Sequence, residues 1–401
     1  MGTMFRHSRR LMKKIPVSLR GAAIVVFVST SFTVTVAGAD AVPVLGGTTR
    51  IVTATTAEVA AKSSNTSTSI TISASAPSTP STPKGLITAG SSRSECLAPE
   101  TPSGNYGLSY LQSVVAKFNR VTKSTVSCIS SYLNGAQTWA QWEHPWIANS
   151  KYGYTSWVGE KSQRRQLVLA VNLIPNSLEN VSNPLTWEQS CAAGDFNSYA
   201  TTLGTSLVTA GLENSVIRLG PEMNGVWEAD FIGNSKVEQR LWSLCFANEV
   251  TSLRHATGEH FLIDWNPNAC KGNFPYANYY PGNAYVDILG FDLFDVGCET
   301  PTTPLSFSRL ASEPAGLKRF EAFATAQGKP MSFPEWGLST IPSGDDPKYV
   351  DGIGSIVAKR NFAFQTYFDA TSANSKALPL GPRTPLSLAA YQKWFGKGSR
   401  H

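Results

Sequence analysis

The sequence has little that would serve a metal ion or a nucleic acid. Its five histidines, His7, His144, His255, His260 and His401, show no HxxxH or HxH spacing, and its six cysteines form no CxxC pair. The usual spacings of a metal site are therefore missing, and no cofactor is expected. Charged residues make up only 15% of the chain. The formal charge of +6 is matched by Arg6, Arg9, Arg10, Lys13, Lys14 and Arg20 near the amino terminus; beyond them 28 basic residues face 28 acidic ones. A near-neutral chain without a basic stripe lacks the phosphate-neutralising surface that nucleic-acid binding requires. No repeat, heptad or exposed amphipathic helix points to an assembly, so a monomer is the expectation.

The amino-terminal region is of a different kind from the rest. Basic residues up to Leu19 precede an apolar run from Gly21 to Ala37, which closes on the small residues Ala37, Gly38 and Ala39. That order is the order of a secretory signal peptide. The run also approaches the roughly 17 residues that just span a bilayer. Residues 1–41 thus read as a signal peptide or a membrane anchor, and a membrane is a partner only in the second case. Either reading places the remainder outside the cytoplasm, secreted or held at the outer face of the membrane. Residues 42–92 are dominated by Thr, Ser, Ala and Pro, as in Ser78-Thr79-Pro80-Ser81-Thr82-Pro83. Such a stretch has too little apolar surface to offset the entropy of ordering it, and it reads as a flexible linker.

The remaining 93–401 form the globular part and hold all the cysteines: Cys96, Cys128, Cys191, Cys245, Cys270 and Cys298. An even number in an exported chain favours disulfides, with 15 pairings open. Neighbour with neighbour is the expected pattern, Cys96 with Cys128, Cys191 with Cys245 and Cys270 with Cys298. Apolar, β-rich runs occur at 125–133, 166–174, 215–219, 261–265, 286–294, 330–333 and 361–368. Continuous rather than alternating apolarity suits strands buried on both faces. Helical periods lie between several of them, as in Phe196, Tyr199, Ala200, Leu203 and Leu207, with Asp195 ahead as the expected N-cap. Further helices are expected at 110–121, 237–255, 316–327, 347–360 and 385–395. Alternating strands and helices over about 300 residues predict one α/β domain, a (β/α)8 TIM barrel. Seven strands are clear. The eighth is expected second in order, within the aromatic region 139–160.

Parallel barrels carry their reactive groups at the carboxyl ends of the strands. Two glutamates occupy such positions. Glu222 follows Val216-Ile217-Arg218-Leu219 in the run Arg218-Leu219-Gly220-Pro221-Glu222-Met223-Asn224-Gly225-Val226-Trp227, and Glu335 follows Met331-Ser332-Phe333 in the run Pro334-Glu335-Trp336-Gly337. One carboxyl to protonate a leaving oxygen and a second to attack the anomeric carbon is the equipment of a retaining glycosidase. An ion-pair partner on the barrel rim is the plainer account of either residue.

These runs resemble family 26 of the glycoside hydrolases, whose members are mainly endo-β-1,4-mannanases on a (β/α)8 barrel. The family's acid/base run has the form R-x-x-H-E-M-N-G-x-W, matched here by Arg218, Glu222, Met223, Asn224, Gly225 and Trp227. Its nucleophile run is matched by Glu335, Trp336 and Gly337. The resemblance implies a hydrolase with Glu222 as acid/base and Glu335 as nucleophile, Arg218 as their electrostatic partner, and a polysaccharide as substrate. Two positions depart from the pattern. Pro221 stands where the family has His, and Phe294 stands where a family tyrosine supports the nucleophile. Loss of that hydroxyl should raise the nucleophile's pKa.

Sugars stack on aromatic rings, so Trp227, Trp265 and Trp336 are candidate subsite residues, with ordinary burial as the alternative. Asn172, Asn224 and Tyr367 are further candidates for sugar contact. Trp139, Trp142, His144 and Trp146 form either a cleft wall or a core lid. Asp292 and Asp295 are reserve acids, whose plainer roles are bonds to backbone or to arginine. The reading is a secreted endo-β-glycanase acting on β-1,4-mannan. The alternatives are β-1,3-xylan, mixed-linkage glucan or a cell-envelope polysaccharide as substrate, or a catalytically impaired carbohydrate-binding protein.

Overall fold

The computed structural model describes residues 94–99, 107–133, 135–160, 165–180, 182–269, 276–295, 306–314, 316–339, 344–370 and 377–399. The proposed signal or anchor, the linker, and Cys270 and Cys298 lie outside them. The described residues begin with β1 (Ser94–Pro99), α1 (Leu108–Thr122), β2 (Cys128–Tyr132), the short helices α2 (Trp139–Glu143) and α3 (Tyr154–Val158), and β3 (Gln166–Val171). There follow α4 (Leu185–Ala193), α5 (Asn197–Thr209), β4 (Val216–Leu219), α6 (Lys236–Leu253), β5 (Leu262–Trp265), β6 (Ile288–Gly290) and the two-residue β7 (Leu293–Phe294). The last part holds α7 (Phe307–Ser312), α8 (Leu317–Gln327), β8 (Met331–Ser339), α9 (Pro347–Lys359), β9 (Phe362–Asp369), β10 (Ala377–Leu378) and α10 (Pro385–Phe395).

Eight of the strands pair in parallel in the order β1, β2, β3, β4, β5, β6, β8, β9, and β9 pairs again with β1. The ring is closed, and the expected TIM barrel is the observed fold. The expected eighth strand is misplaced, however. It is β1, first in order, and residues 139–160 are helical. The buried aromatics Trp142, Tyr154 and Trp157, with Trp139 and Trp146 packed at the edge of the core, recur at spacings of three or four within each turn, a helical period. The segment Ser94-Glu95-Cys96-Leu97-Ala98-Pro99 escaped notice because its polar start and terminal proline interrupt the apolar run. Asp195 is not a cap either. Gly194 ends α4 at φ 92 and Phe196 occupies the N-cap position of α5 with no side-chain bond.

Alternation along the strands divides the barrel into floor and mouth. Cys96, Cys128, Val168, Val216, Leu262, Ile288, Ala363 and Phe364 come from seven different strands yet form one packed cluster, which only the interior allows. Cys96 and Cys128 are registered neighbours there and are bonded as a disulfide. Cys191 and Cys245 join α4 to α6 as a second bridge. Two of the three expected pairings are thus present. Nearer the mouth the interior turns polar: Asp264 Oδ2 accepts a bond from Ser332 Oγ at 2.8 Å, and Arg218 is buried beside it.

Candidate active site

Glu222 lies on a tight turn beyond β4. Gly220 has φ +57, and an added Cβ would lie 2.6 Å from the Trp242 ring, so glycine is required there. Pro221 next to it presets the turn. Glu222 itself has φ 49, a left-handed conformation that among the described residues only one other non-glycine shares. The other, Lys123, ends helix α1, where such a residue is ordinary. Glu222 ends no helix. Strain of about 1 kcal/mol at such a residue persists when surrounding bonds over-determine it, and here they do. Its N–H donates to Asn266 O at 2.8 Å, Asn268 Nδ2 donates to Oε1, and Trp227 Nε1 donates to Oε2.

Glu335 reaches the same mouth from β8. The pairing of β8 with β9 shifts register between Phe333 and Trp336, and Pro334 and Glu335 occupy the shift. Bulges of this kind re-aim side chains. Every other residue of β8 is buried; Glu335 alone is partly exposed. Its Oε2 accepts a 2.8 Å hydrogen bond from the Tyr132 hydroxyl and lies 3.5 Å from Arg218 Nη1. Burial pushes the Glu335 carboxyl up to about 7; Arg218 pulls it down, Glu222 adds to the rise and the Tyr132 bond opposes it.

Arg218 stands beside Glu335, 1% exposed, and is linked to Glu222 through Asn266. Its Nε and Nη2 donate to Asn266 Oδ1 at 3.0 and 2.7 Å, and Nη2 also meets Asp292 Oδ2 at 2.5 Å. The plainer readings of the reserve acids hold: Asp292 is the partner of Arg218, and Asp295 accepts the backbone N–H of Ser339 at 2.6 Å. Phe294 meets Phe368 edge-on and carries no polar group toward the site. A hydroxyl does reach Glu335, from Tyr132 at the end of β2.

The structure divides the expected substrate contacts. Trp227 is 49% exposed in the mouth, and its ring folds over Gly225, where any Cβ would collide with it. Asn172 ends β3 and donates to Glu228 Oε2 at 3.1 Å, while its backbone carbonyl accepts from Trp142 Nε1. Asn224 is engaged from both ends: Oδ1 accepts from Asn268 N and Nδ2 donates to Asn268 O, both at 2.8 Å. It clamps the residue that holds Glu222, and at 0% exposure it is closed off from a sugar. Trp265, Trp336 and Tyr367 are all buried at 0% exposure. Trp265 packs outside the barrel among Tyr276, Tyr279, Tyr280 and Phe323. Trp336 donates to Gln365 Oε1 and lies parallel to Tyr391, and Tyr367 packs edge-on against both. These three are core residues. Strand alternation decides it, since 263 and 265 on β5 face away from the interior that 262 and 264 face. Of the aromatic group after β2, Trp139 stacks on Tyr199 at 4.2 Å and Trp142 is buried, while His144 is exposed and bonds Ser206 Oγ. Trp139 and His144 thus seat the loop on α5.

Searches by sequence return neither a family model nor a curated protein that matches the chain. Solved structures do match it. A family 26 β-mannanase from Bacteroides ovatus superposes with a TM-score of 0.52 at 14% identity, covering 76% of this chain and 88% of that one. A family 26 protein from Muricauda sp. gives 0.51 at 13% identity, over 77% and 86%. The chain has the family 26 fold.

On that fold the sequence motifs bring Glu222, Glu335, Arg218 and Trp227 to one mouth. Four neighbours were missed. Tyr132, Asn266 and Asn268 bond the two glutamates or Arg218, and Glu228 lies close enough to both glutamates to feel their charge. Burial, then Asp230 and Glu222, push the Glu228 carboxyl to about 8. Position alone could have found them: each lies at or just beyond a strand's carboxyl end, on the inward parity of its strand or in the loop that follows.

Proposed function

We propose that this chain is a retaining glycoside hydrolase of the mannanase type, an exported endo-β-glycanase whose preferred substrate is β-1,4-mannan. The observation that carries the reading is the pair of glutamates, each fixed by an unusual backbone feature and close enough to feel each other's charge, with a buried arginine beside Glu335. Glu335 is the nucleophile: a carboxylate oxygen bonds the anomeric carbon as the bond to the leaving oxygen breaks, and Glu222 gives that oxygen its proton. In the second step Glu222 takes a proton from water, the resulting hydroxyl bonds the anomeric carbon, and Glu335 leaves as a carboxylate. Arg218 holds positive charge beneath the carboxyl that gains and loses its own. Trp227 offers an exposed indole face beside Glu222 for a sugar ring. No step needs a metal or cofactor.

The test is reducing-sugar release by the full chain from mannans, xylans and β-glucans, with Glu222→Ala and Glu335→Ala beside it. Release from mannan that both substitutions abolish supports the reading, and release from another polymer keeps the chemistry and replaces the substrate. A first-formed product with the anomeric configuration of the substrate, seen by proton NMR, supports retention; inversion removes the nucleophile role. Binding without cleavage would make the chain a carbohydrate-binding protein.

A further inference from the structure

The buried arginine does not by itself fix the orientation of Glu335. Its Nε and Nη2 are committed to Asn266 and Asp292, and Nη1 lies at 3.5 Å from Glu335 Oε2, longer than a well-formed hydrogen bond. It faces Glu335 as a charge. The directed bond comes from Tyr132, 2.8 Å from Oε2, and among the described residues no hydrogen bond reaches Oε1. The phenol ring is itself held. Phe368 meets it edge-on at 6.4 Å, and the guanidinium carbon of Arg218 lies 5.9 Å from its centroid, within cation–π range.

The geometry points to Tyr132 as the positioning residue of the reaction: its hydroxyl holds Oε2 of Glu335 and so presents Oε1 as the oxygen that attacks the anomeric carbon. The inference rests on the nucleophile role proposed above for Glu335. It also explains how the chain dispenses with a hydroxyl at position 294, since the donor has moved from β7 to β2. A hydrogen bond to the charged form favours that form. The bond should weaken when Oε2 becomes the carbonyl oxygen of the glycosyl ester and strengthen as the carboxylate departs. Tyr132 therefore acts on turnover more than on substrate binding. The groups that face Glu335 are Arg218 and Glu222 from the β4 side, Tyr132 from β2, Asp292 from beyond β6, and Glu228. Tyr132→Phe removes one of these and leaves the charges in place.

Two measurements on the full chain test this. The first compares kcat, KM and the pH profile of kcat/KM for the wild type and Tyr132→Phe. The second follows the Glu335 carboxyl by 13C NMR in glutamate-labelled protein through a pH titration, with Glu335→Gln to assign the signal. The expected result is a fall in kcat of about ten- to a hundredfold with KM within about threefold, the size of a lost hydrogen bond to a charged group. The acidic limb and the NMR midpoint should both move up by about one pH unit. An unchanged midpoint, or a change in KM alone, overturns the inference. The NMR midpoint needs no turnover, so a chain that cleaves nothing yet shows the shift loses the hydrolase reading and keeps Tyr132 as the group that tunes Glu335. If Tyr132→Phe does not fold, 3-fluorotyrosine at position 132 keeps the packing and is a stronger donor. It should lower the midpoint, and no movement would overturn the inference equally.

Discussion

Carboxyl groups in the barrel mouth and those among the covering helices and loops are buried in opposite company. In the mouth, Asp292 and Glu335 share Arg218, and Glu335 has a phenol as well. Outside the barrel wall, Glu95, Glu188, Asp230 and Glu249 are buried with no ion pair among the described residues. Burial pushes Glu95 to about 7, Glu188 to about 9, Asp230 to about 7, and Glu249 well above the usual range. In the mouth the Arg218 charge pulls against the effect of burial, whereas at Glu95, Glu188, Asp230 and Glu249 no cation does and burial is the largest cause of the rise. The same residue type thus stands beside a cation in one region and is packed without one in the other.

The sharpest way to separate the regions is to remove one acid from each and read activity beside stability. Glu335→Ala should lower activity by about a thousandfold or more while the melting temperature moves little. Much of this contrast was legible in the sequence. Glu222 and Glu335 follow strand-like runs, and the barrel follows from the alternation of apolar runs with helical periods. What escaped was set by direction rather than by composition. Trp265, Trp336 and Tyr367 sit within a residue or two of groups that face the mouth, and an odd shift along a strand turns a side chain to the opposite face. Tyr132 escaped for the converse reason, because its partner is 203 residues away and nothing local marks the pair.

A second comparison sets the floor against the mouth. Replacing Cys96 and Cys128 together by alanine should cost about 3–4 kcal/mol of stability, the loop entropy of a bridge spanning 32 residues. Chemical denaturation measures it, and turnover at 25 °C should be nearly unchanged, because the bridge lies below the reacting groups.

The pH dependences should run in opposite directions. Glu95, Glu188, Asp230 and Glu249 all hold protons more tightly when folded, so between their unfolded range near 4–5 and their raised values the unfolded chain binds fewer protons. Stability therefore falls as pH rises. A scan from pH 5.5 to 8.5 should show the melting temperature dropping by about 5 °C or more, while kcat/KM climbs through about pH 7 as Glu335 ionises. A flat stability profile would erase the distinction. The smallest expected effect isolates one member. Glu249→Gln, beside the Cys191–Cys245 bridge, should leave activity alone and stabilise the chain at pH 8 by about 1–2 kcal/mol, with less effect at pH 5.5.

The pairing of β1 bears on mechanics. Any pull on the chain ahead of Ser94 enters the barrel at this strand, which lies parallel to β9 over six registered pairs. Force along β1 would load those pairs together, as shear, instead of opening them one at a time. Slippage could release only Ser94 and Glu95 before the load met Cys96 and its covalent bond to β2. The bridge on the barrel floor is thus a mechanical stop, placed between a tugged amino terminus and a mouth whose geometry has to stay still.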